Sequence, residues 1–290
     1  NLTGYYDGGV NASGLVNVNR NAAKGILLAG SVNYTRRFTG GLMASGALNI
    51  SRRETNGALL SGGLNIVGTQ QSGLMMAGGL NLANEARGVT ISPIDIAGDH
   101  SGVQIGVLNI SGRHSGTQIG VINVVGENDG SKPIGLLSFV KDGRFDVDLW
   151  GSETGFVNGG IRLGTEEIYN VVSIGYNPFH GNDMWQVGLG IGYHYSFNDS
   201  GKGLETDLMN YHVNYDGKWT DEISNHIQWR MHHVYPFAED VRIFYGPSLN
   251  LLITDEELSA PQVPYTIYDH SAGSSQMRWW VGWSLGIELF

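Results

Sequence analysis

The run ALNISRRETNGALLSGGLNIVGTQQSGLMMAGGLNL (47–82) holds three copies of one short pattern: a small or apolar residue, Asn, then an aliphatic. The Asn residues are Asn49, Asn65 and Asn81. Asn17 and Asn33 precede them at the same step of 16 residues, and Asp95, Asn109 and Asn123 follow at steps of 14. Both steps are even, so in extended chain every copy of this Asn falls on the same side of its strand. Between copies lie polar connectors such as SRRETN (51–56), ANEAR (83–87) and GRHS (112–115), rich in the residues that tight turns use. A repeat this regular is either a run of hairpins or a solenoid.

Within the 16-residue copies the two faces separate. Leu42, Ala44, Gly46, Leu48 and Ile50 form one side, and Met43, Ser45, Ala47, Asn49 and Ser51 the other. In the 14-residue copies Val103, Ile105 and Val107 fall on the Asn109 side. A bulge near Gly106 or Gly120 would restore the alternation, or these copies are buried on both faces.

The array runs on through SKPIGLLSFVKDG (131–143), with Ser138 in the Asn place, into RFDVDLW (144–150), where Phe145, Val147 and Leu149 oppose Asp146 and Asp148. Later strands are longer and richer in aromatics. From 184 to 197, Trp185, Val187, Leu189, Ile191, Tyr193, Tyr195 and Phe197 make one face and glycines and polar residues the other. The segment 277–290 repeats the pattern with Trp279, Val281, Trp283, Leu285 and Ile287. Alternation over that length, with aromatics at both ends of the apolar face, is the pattern of a membrane-spanning β-strand.

Composition narrows the class. Glycine is high (44 of 290), proline low (7) and charge sparse (15%), as in alternating strands and unlike a disordered chain. The net charge of −10 leaves no overall basic stripe for phosphate backbones, so nucleic acid is not an expected partner. With no cysteine, disulfides and thiolate metal sites are excluded.

Two architectures fit. In the first the chain is all-β, a single transmembrane up-and-down antiparallel barrel of roughly 16–18 strands over residues 1–290. Residues 9–139 would be its repeat-built strands and 140–290 its aromatic-rich strands, ending in the closing strand 277–290. In the alternative, an N-terminal β-solenoid with stacked Asn residues precedes a smaller C-terminal membrane barrel. The Asn phase favours the solenoid, because copies in a meander would sit alternately at two rims. The continuous flow of repeats into later strands, with neither linker nor cap, favours the single barrel, which is the expectation adopted.

The copies GVQIGVLNISGRHS (102–115) and GTQIGVINVVGEND (116–129), the junction PIGLLSFVKDG (133–143) and the segment SIGYNPF (173–179) resemble the surface-repeat outer-membrane proteins of Gram-negative bacteria, those of the Bacteroidota most closely. The resemblance covers most of the chain and implies an outer-membrane location more than an activity. One feature departs from the usual barrel end: Phe290 falls in phase with Gly286 and Glu288 and out of phase with the apolar face.

Candidate functional residues follow from the alternation. Asp146, Asp148, Arg162, Gln186, His194, Gln228, Arg230, His232, Arg242 and Glu288 all oppose apolar neighbours and are expected to line the barrel lumen. With Phe290 at the periplasmic end, the connector 254–276 with Asp255, Glu256 and Glu257, and the loops 177–183 and 215–222, are expected outside. His212, His226, His232 and His233 have no spacing to Ser224 or Ser248 that forces a Ser–His–acid set, and none makes a metal motif, so neither enzyme activity, cofactor nor metal is expected. Of the aromatics only Tyr5, Tyr6, Tyr34 and Phe38 precede residue 139. Gly30, Gly46, Gly62 and Gly78 stud the apolar face of the repeats, where another surface can approach closely. They are expected to face a partner, another outer-membrane protein meeting residues 25–125. The expected function is a non-enzymatic outer-membrane barrel, an accessory subunit docking through its repeat half. A passive porin-like channel is the alternative.

Overall fold

The computed structural model describes residues 1–179, 183–197, 201–221, 223–255, 263, 265–272 and 275–290. None of them is helical, and the chain divides into two compact units, 1–142 and 143–290. The single barrel over 1–290 is therefore not the architecture; a solenoid followed by a smaller barrel is.

The first unit is built from β1 (Leu2–Ser13), β2 (Val16–Ala29), β3 (Val32–Ser45), β4 (Leu48–Ser51), β5 (Thr55–Ser61), β6 (Leu64–Ala77), β7 (Leu80–Ile91), β8 (Ile94–Ile105), β9 (Leu108–Ile119), β10 (Ile122–Ile134) and β11 (Leu137–Val140). Every pairing among them is parallel, each strand or strand pair stacking on its sequence neighbour. Register puts repeat on repeat: Asn17 on Asn33, Asn49 on Asn65, Asp95 on Asn109, Asn123 on Ser138. A parallel stack brings identical positions together one coil apart, which an antiparallel meander cannot do. That is why the even spacing of the Asn copies outweighs the continuity of the chain.

Asn suits this position because its amide both donates and accepts. Asn17 Nδ2 donates to Asn33 Oδ1 at 3.1 Å, Asn33 to Asn49 at 3.0 Å, Asn49 to Asn65 at 3.0 Å, Asn65 to Asn81 at 2.9 Å and Asn81 to Asp95 at 2.7 Å. The same amides also donate across the coil, Asn17 to the Leu28 carbonyl and Asn33 to that of Ala44, both at 2.7 Å. The ladder thus ties the two walls of each coil together and satisfies carbonyls that would otherwise be buried without a donor. Beside it run a Leu27–Met43–Leu59–Met75 column and an Ala23–Phe38–Thr55–Gln71 column, both buried. In the shorter coils these columns turn polar, to Thr90–Gln104–Gln118 and His100–His114.

Glycine is required at one bend. Gly25, Gly41, Gly57, Gly73, Gly88, Gly102 and Gly116 stack with φ between 105° and 126°, and a Cβ on Gly41 would run into the Gly25 carbonyl oxygen. At the opposite corner two residues separate successive strands. The 14-residue copies keep that corner and shorten the strand from 14 residues (β6) to 12 (β8). The corner at Gly106–Val107 resets the alternation, so Gln104 and Asn109 both point inward while Val103 and Ile105 face out.

The second unit comprises β12 (Arg144–Ser152), β13 (Val157–Gly164), β14 (Ile168–Asn177), β15 (Met184–Ser196), β16 (Gly203–Tyr215), β17 (Ser224–Ala238), β18 (Val241–Thr254), β19 (Thr266–Ala272) and β20 (Ser275–Leu289). The pairings are antiparallel in the order β12-β13-β14-β15-β16-β17-β18-β20, and β12 closes on β20 through Val147↔Leu289 to Ser152↔Ser284. The result is an eight-stranded barrel, with β19 pairing the first residues of β20 beyond the part that β12 occupies. The alternation read from sequence holds: Arg144, Asp146, Asp148 and Trp150 point in and Phe145, Val147 and Leu149 out. Phe290 lies one residue past β20, exposed, with the Arg242 guanidinium 4.7 Å from its ring centroid, so it escapes the inward phase by leaving the strand.

Candidate functional site: the barrel interior and the apolar edge of the solenoid

Eight strands enclose a space that side chains can fill, and here the filling is charged. Arg144 on β12 binds Asp146, reaches Glu205 on β16 at 2.6 Å and Glu288 on β20 at 2.7 Å. Arg162 on β13 binds Asp148 at 2.5 Å and pairs with Glu205. Arg230 on β17 holds Asp207 at 2.8 Å, and Tyr169 donates to the other oxygen of Asp207 at 2.6 Å. Arg242 pairs with Glu288 and lies 3.4 Å from Asp146. Aromatic faces support the cations, with Arg144 4.3 Å above Tyr169 and Arg230 5.0 Å from Trp150. Buried charges persist only when paired and hydrogen-bonded, and charged pairs drawn from six strands meet that condition.

All ten residues read from sequence as lumenal point into the barrel, nine of them buried and Arg242 nearly so. They do not form one site. Asp146, Asp148, Arg162, His194, Arg242 and Glu288 belong to the charged network, His194 through a 3.1 Å contact with Glu205. Gln186 bonds Asn158 at 3.3 Å, and Gln228 bonds Asn250 at 2.8 Å. Sequence reasoning missed Arg144, Glu205, Asp207, Tyr169 and Glu153. Glu205 and Asp207 were legible, since GLETDL (203–208) alternates as β12 does. Glu153 was not: it sits in the β12–β13 turn yet accepts from Trp280 Nε1 at 2.8 Å.

One constellation has the composition of a catalytic triad. Ser284 Oγ lies 2.6 Å from His232 Nε2, and His232 Nδ1 is 3.9 Å from Asp207 Oδ2. Both oxygens of Asp207 are already engaged by Tyr169 and Arg230, and all three residues are buried. A nucleophile needs an oriented base and access for the substrate carbonyl; here the acid is too far to orient the imidazole, and the hydroxyl faces packed interior. His226 lies between Tyr211 and Trp280 and bonds Asn250 at 3.0 Å. Among the described residues no three His, Asp or Glu side chains are placed to hold a metal ion.

Outside, the barrel is apolar. Leu149, Ile161, Ile174, Leu189, Leu208, Ile227 and Leu285 are exposed along its wall. Aromatics gather toward both strand ends: Phe156, Tyr176, Phe179 and Trp219 at one, Tyr193, Tyr195, Phe197, Tyr235, Phe237 and Tyr245 at the other. On the connectors, residues 180–182, 222, 256–262, 264 and 273–274, including Glu256 and Glu257, lie outside the described residues.

The solenoid has its own apolar surface. Four outward rows, headed by Val16, Val18, Ile26 and Leu28, flank the two-residue corner and continue coil after coil with Lys132 as their one charged residue. The corner backbone is hydrogen-bonded from coil to coil, Ser31 and Val32 N–H to Leu15, Ala47 and Leu48 to Ser31, Gly63 and Leu64 to Ala47. Gly30, Gly46, Gly62 and Gly78 stack at this corner, exposed, beside a shallow groove of about 480 Å³ lined by Leu28, Ala44, Leu60 and Met76. A Cβ on any of the four would collide with the carbonyl oxygen of the glycine one coil before it. The stacking explains their presence without a partner, while their position leaves them on the surface.

Comparison with known proteins finds no matching family model, no matching curated protein and no matching solved structure.

Proposed function

We propose that this chain is a non-enzymatic outer-membrane protein of a Gram-negative bacterium, anchored in lipid by its C-terminal barrel and acting as an accessory subunit through its solenoid. The observation that carries the reading is the inverted polarity of residues 143–290. Charge is collected and paired inside, while aliphatic side chains and two bands of aromatics cover the outside. In water that distribution exposes a continuous apolar wall; in a bilayer it places aliphatics against acyl chains and Trp and Tyr at the interfaces. A closed barrel also leaves no unpaired edge in hydrocarbon.

The apolar edge of the solenoid supports the accessory role. It is long, nearly uncharged and built of small and aliphatic residues, and unlike the barrel it lacks aromatic bands. Small residues at a corner whose backbone is already satisfied let another protein surface approach closely. The partner we propose is another outer-membrane protein meeting residues 25–125.

Two measurements test the reading. Expressed protein should fractionate with the outer membrane and migrate faster on cold SDS gels than after boiling; recovery in a soluble fraction would overturn the anchor. Extraction in gentle detergent should bring down a partner, and a clean monomer from native membranes would remove the accessory role. The porin-like alternative requires a path through an interior occupied by the Arg144–Glu205–Arg162 network. Planar bilayers are expected to stay silent, and steady open-channel steps would reverse the choice.

A further inference from the structure

The edge of the solenoid opposite the apolar corner is polar, and in its later coils acids and a base share one row. Glu85, Asp99, Arg113 and Glu127 stack in register, with Arg113 bonding Glu127 at 3.2 Å and Asp99 on its other side. The first coils are different. Arg20, Arg36 and Arg52 occupy equivalent positions in three successive repeats, Arg37 and Arg53 follow in two of them, and Lys24 adds a sixth cation. Coils are about 4.8 Å apart, and the in-register pairs Asn19↔Thr35 and Thr35↔Ser51 immediately precede Arg20, Arg36 and Arg52, so these cations gather on one edge. Among the described residues Glu54 is the one acid paired with any of them, 3.3 Å from Arg37, and Arg20, Arg36, Arg52 and Arg53 have no ion pair. In a chain of net charge −10 this concentration is not a by-product of composition.

The arginines also shape a concavity. Arg36, Arg37 and Arg53, with Tyr5, Asn21 and Ala22, line an open groove of about 210 Å³. Tyr5 is 75% exposed, leaving an aromatic ring free beside the guanidinium groups. Planar guanidinium forks match the oxygens of a phosphate two at a time, and several on one groove neutralise a dianion without burying it.

We propose that this groove binds a phosphate ester, with Arg36, Arg37 and Arg53 on the phosphate oxygens and Tyr5 against the group that carries it. The site belongs to the solenoid alone and does not depend on the function proposed for the barrel. The same chemistry is offered by a soluble phosphate and by a phosphorylated lipid headgroup, so the test has two arms. Full-length protein is titrated calorimetrically with sodium pyrophosphate, and separately its binding to nanodiscs of phosphatidylcholine with and without one-fifth phosphatidic acid (roughly, by lipid count) is measured.

Binding in the pyrophosphate arm assigns a soluble ligand; binding only to the phosphatidic acid discs assigns a lipid headgroup. In either case Arg36→Gln/Arg53→Gln should weaken it on the order of tenfold or more, while Arg113→Gln leaves it unchanged. No binding in either arm overturns the proposal, as does equal weakening by Arg113→Gln, which would mean unspecific charge attraction. The thermal midpoint guards against misfolding. In phosphate-free buffer the double Gln variant should melt at or above the parent, because like-charge repulsion is removed; pyrophosphate or the lipid should then raise the parent's midpoint and not the variant's. A variant that melts well below the parent would show the arginines to be structural and would also overturn the proposal.

Discussion

Asn81 donates a 2.7 Å hydrogen bond to Asp95, one coil further on, and Asp95 passes none to Asn109. A carboxylate has no N–H to give, so the ladder that runs unbroken from Asn17 stops there, and Asn109 Oδ1 is left buried without a donor. Burial pushes the Asp95 carboxyl up to about 6, against the opposing hydrogen bonds from Asn81 and Ser92. Asp95→Asn should restore the donor and remove a buried charge. We expect it to stabilise the solenoid at pH 7 by about 1–3 kcal/mol, read as a higher midpoint in thermal or urea unfolding. Because the folded carboxyl binds its proton more tightly than the unfolded one, the penalty in the parent is relieved as pH falls from about 6 toward 4. The advantage of the variant should shrink over the same range, and a gap that widens on acidification would contradict the assignment.

His100 and His114 respond in the opposite sense. They stack 5.0 Å apart inside the solenoid, and burial lowers their imidazoles to about 3 and about 4, with mutual repulsion adding to His100. Neutral imidazoles are needed in the fold, so stability is intact above the unfolded value of 6.5 and is lost as pH falls toward those lowered values. Each could cost about 2–3 kcal/mol near pH 4.5, more than protonation of Asp95 returns. Amide exchange in residues 86–119 should accelerate between pH 6 and 4.5 relative to residues 26–60. Uniform protection across the solenoid would count against it.

The stacked glycines offer a sharper geometric test. Gly57 adopts φ 108°, and a Cβ there would meet the Gly41 carbonyl oxygen. Gly57→Ala should therefore destabilise by roughly 2–4 kcal/mol, well beyond the ordinary helix or strand preference for alanine. Ala47→Gly at the opposite corner should cost about 1 kcal/mol or less. Comparable losses in the two variants would contradict the stacked bend.

Inside the barrel, Arg162→Ala would strand Asp148 in the interior and leave Glu205 to Arg144 and His194. Removing one member of a buried ionic network costs about 3–5 kcal/mol, and the temperature at which the cold-gel form converts to the unfolded form should drop clearly. Arg278, which pairs with the half-exposed Asp269 at the β19–β20 hairpin, is the control, its substitution to Ala shifting that temperature little.

The proposed lipid contact predicts a depth profile for charge on the outer wall. Leu208→Arg, on an exposed position of β16, should cost about 2–4 kcal/mol if it lies near the bilayer midplane. Phe237→Arg, at the end of β17, should cost about 0–1 kcal/mol. Equal and small effects at both positions would argue that the wall faces water.

Much of the barrel was legible before the structure. The inward set Asp146, Asp148, Arg162 and Glu288 follows from alternation alone, because a strand's period of two assigns each side chain to a face without reference to its neighbours. Which charges meet was not legible: Arg144 and Glu205 are 61 residues apart and are joined by strand order and register. Glu153 was hidden for a different reason, since a turn residue carries no periodic signal about its direction.

The repeat determined by itself that Asn17 through Asn123 would share one side of their strands and that the chain would be all-β. It also marked residues 144–290 as strands charged on one face and apolar on the other. Only the tertiary structure decided that residues 1–142 coil in parallel instead of turning back and forth. An even period satisfies both arrangements locally. The choice between them lies in contacts one coil away, where Asn17 meets Asn33 and Leu27 meets Met43. Those contacts exist only when repeats stack in register, and there a single amide can give one hydrogen bond along the stack and another across it.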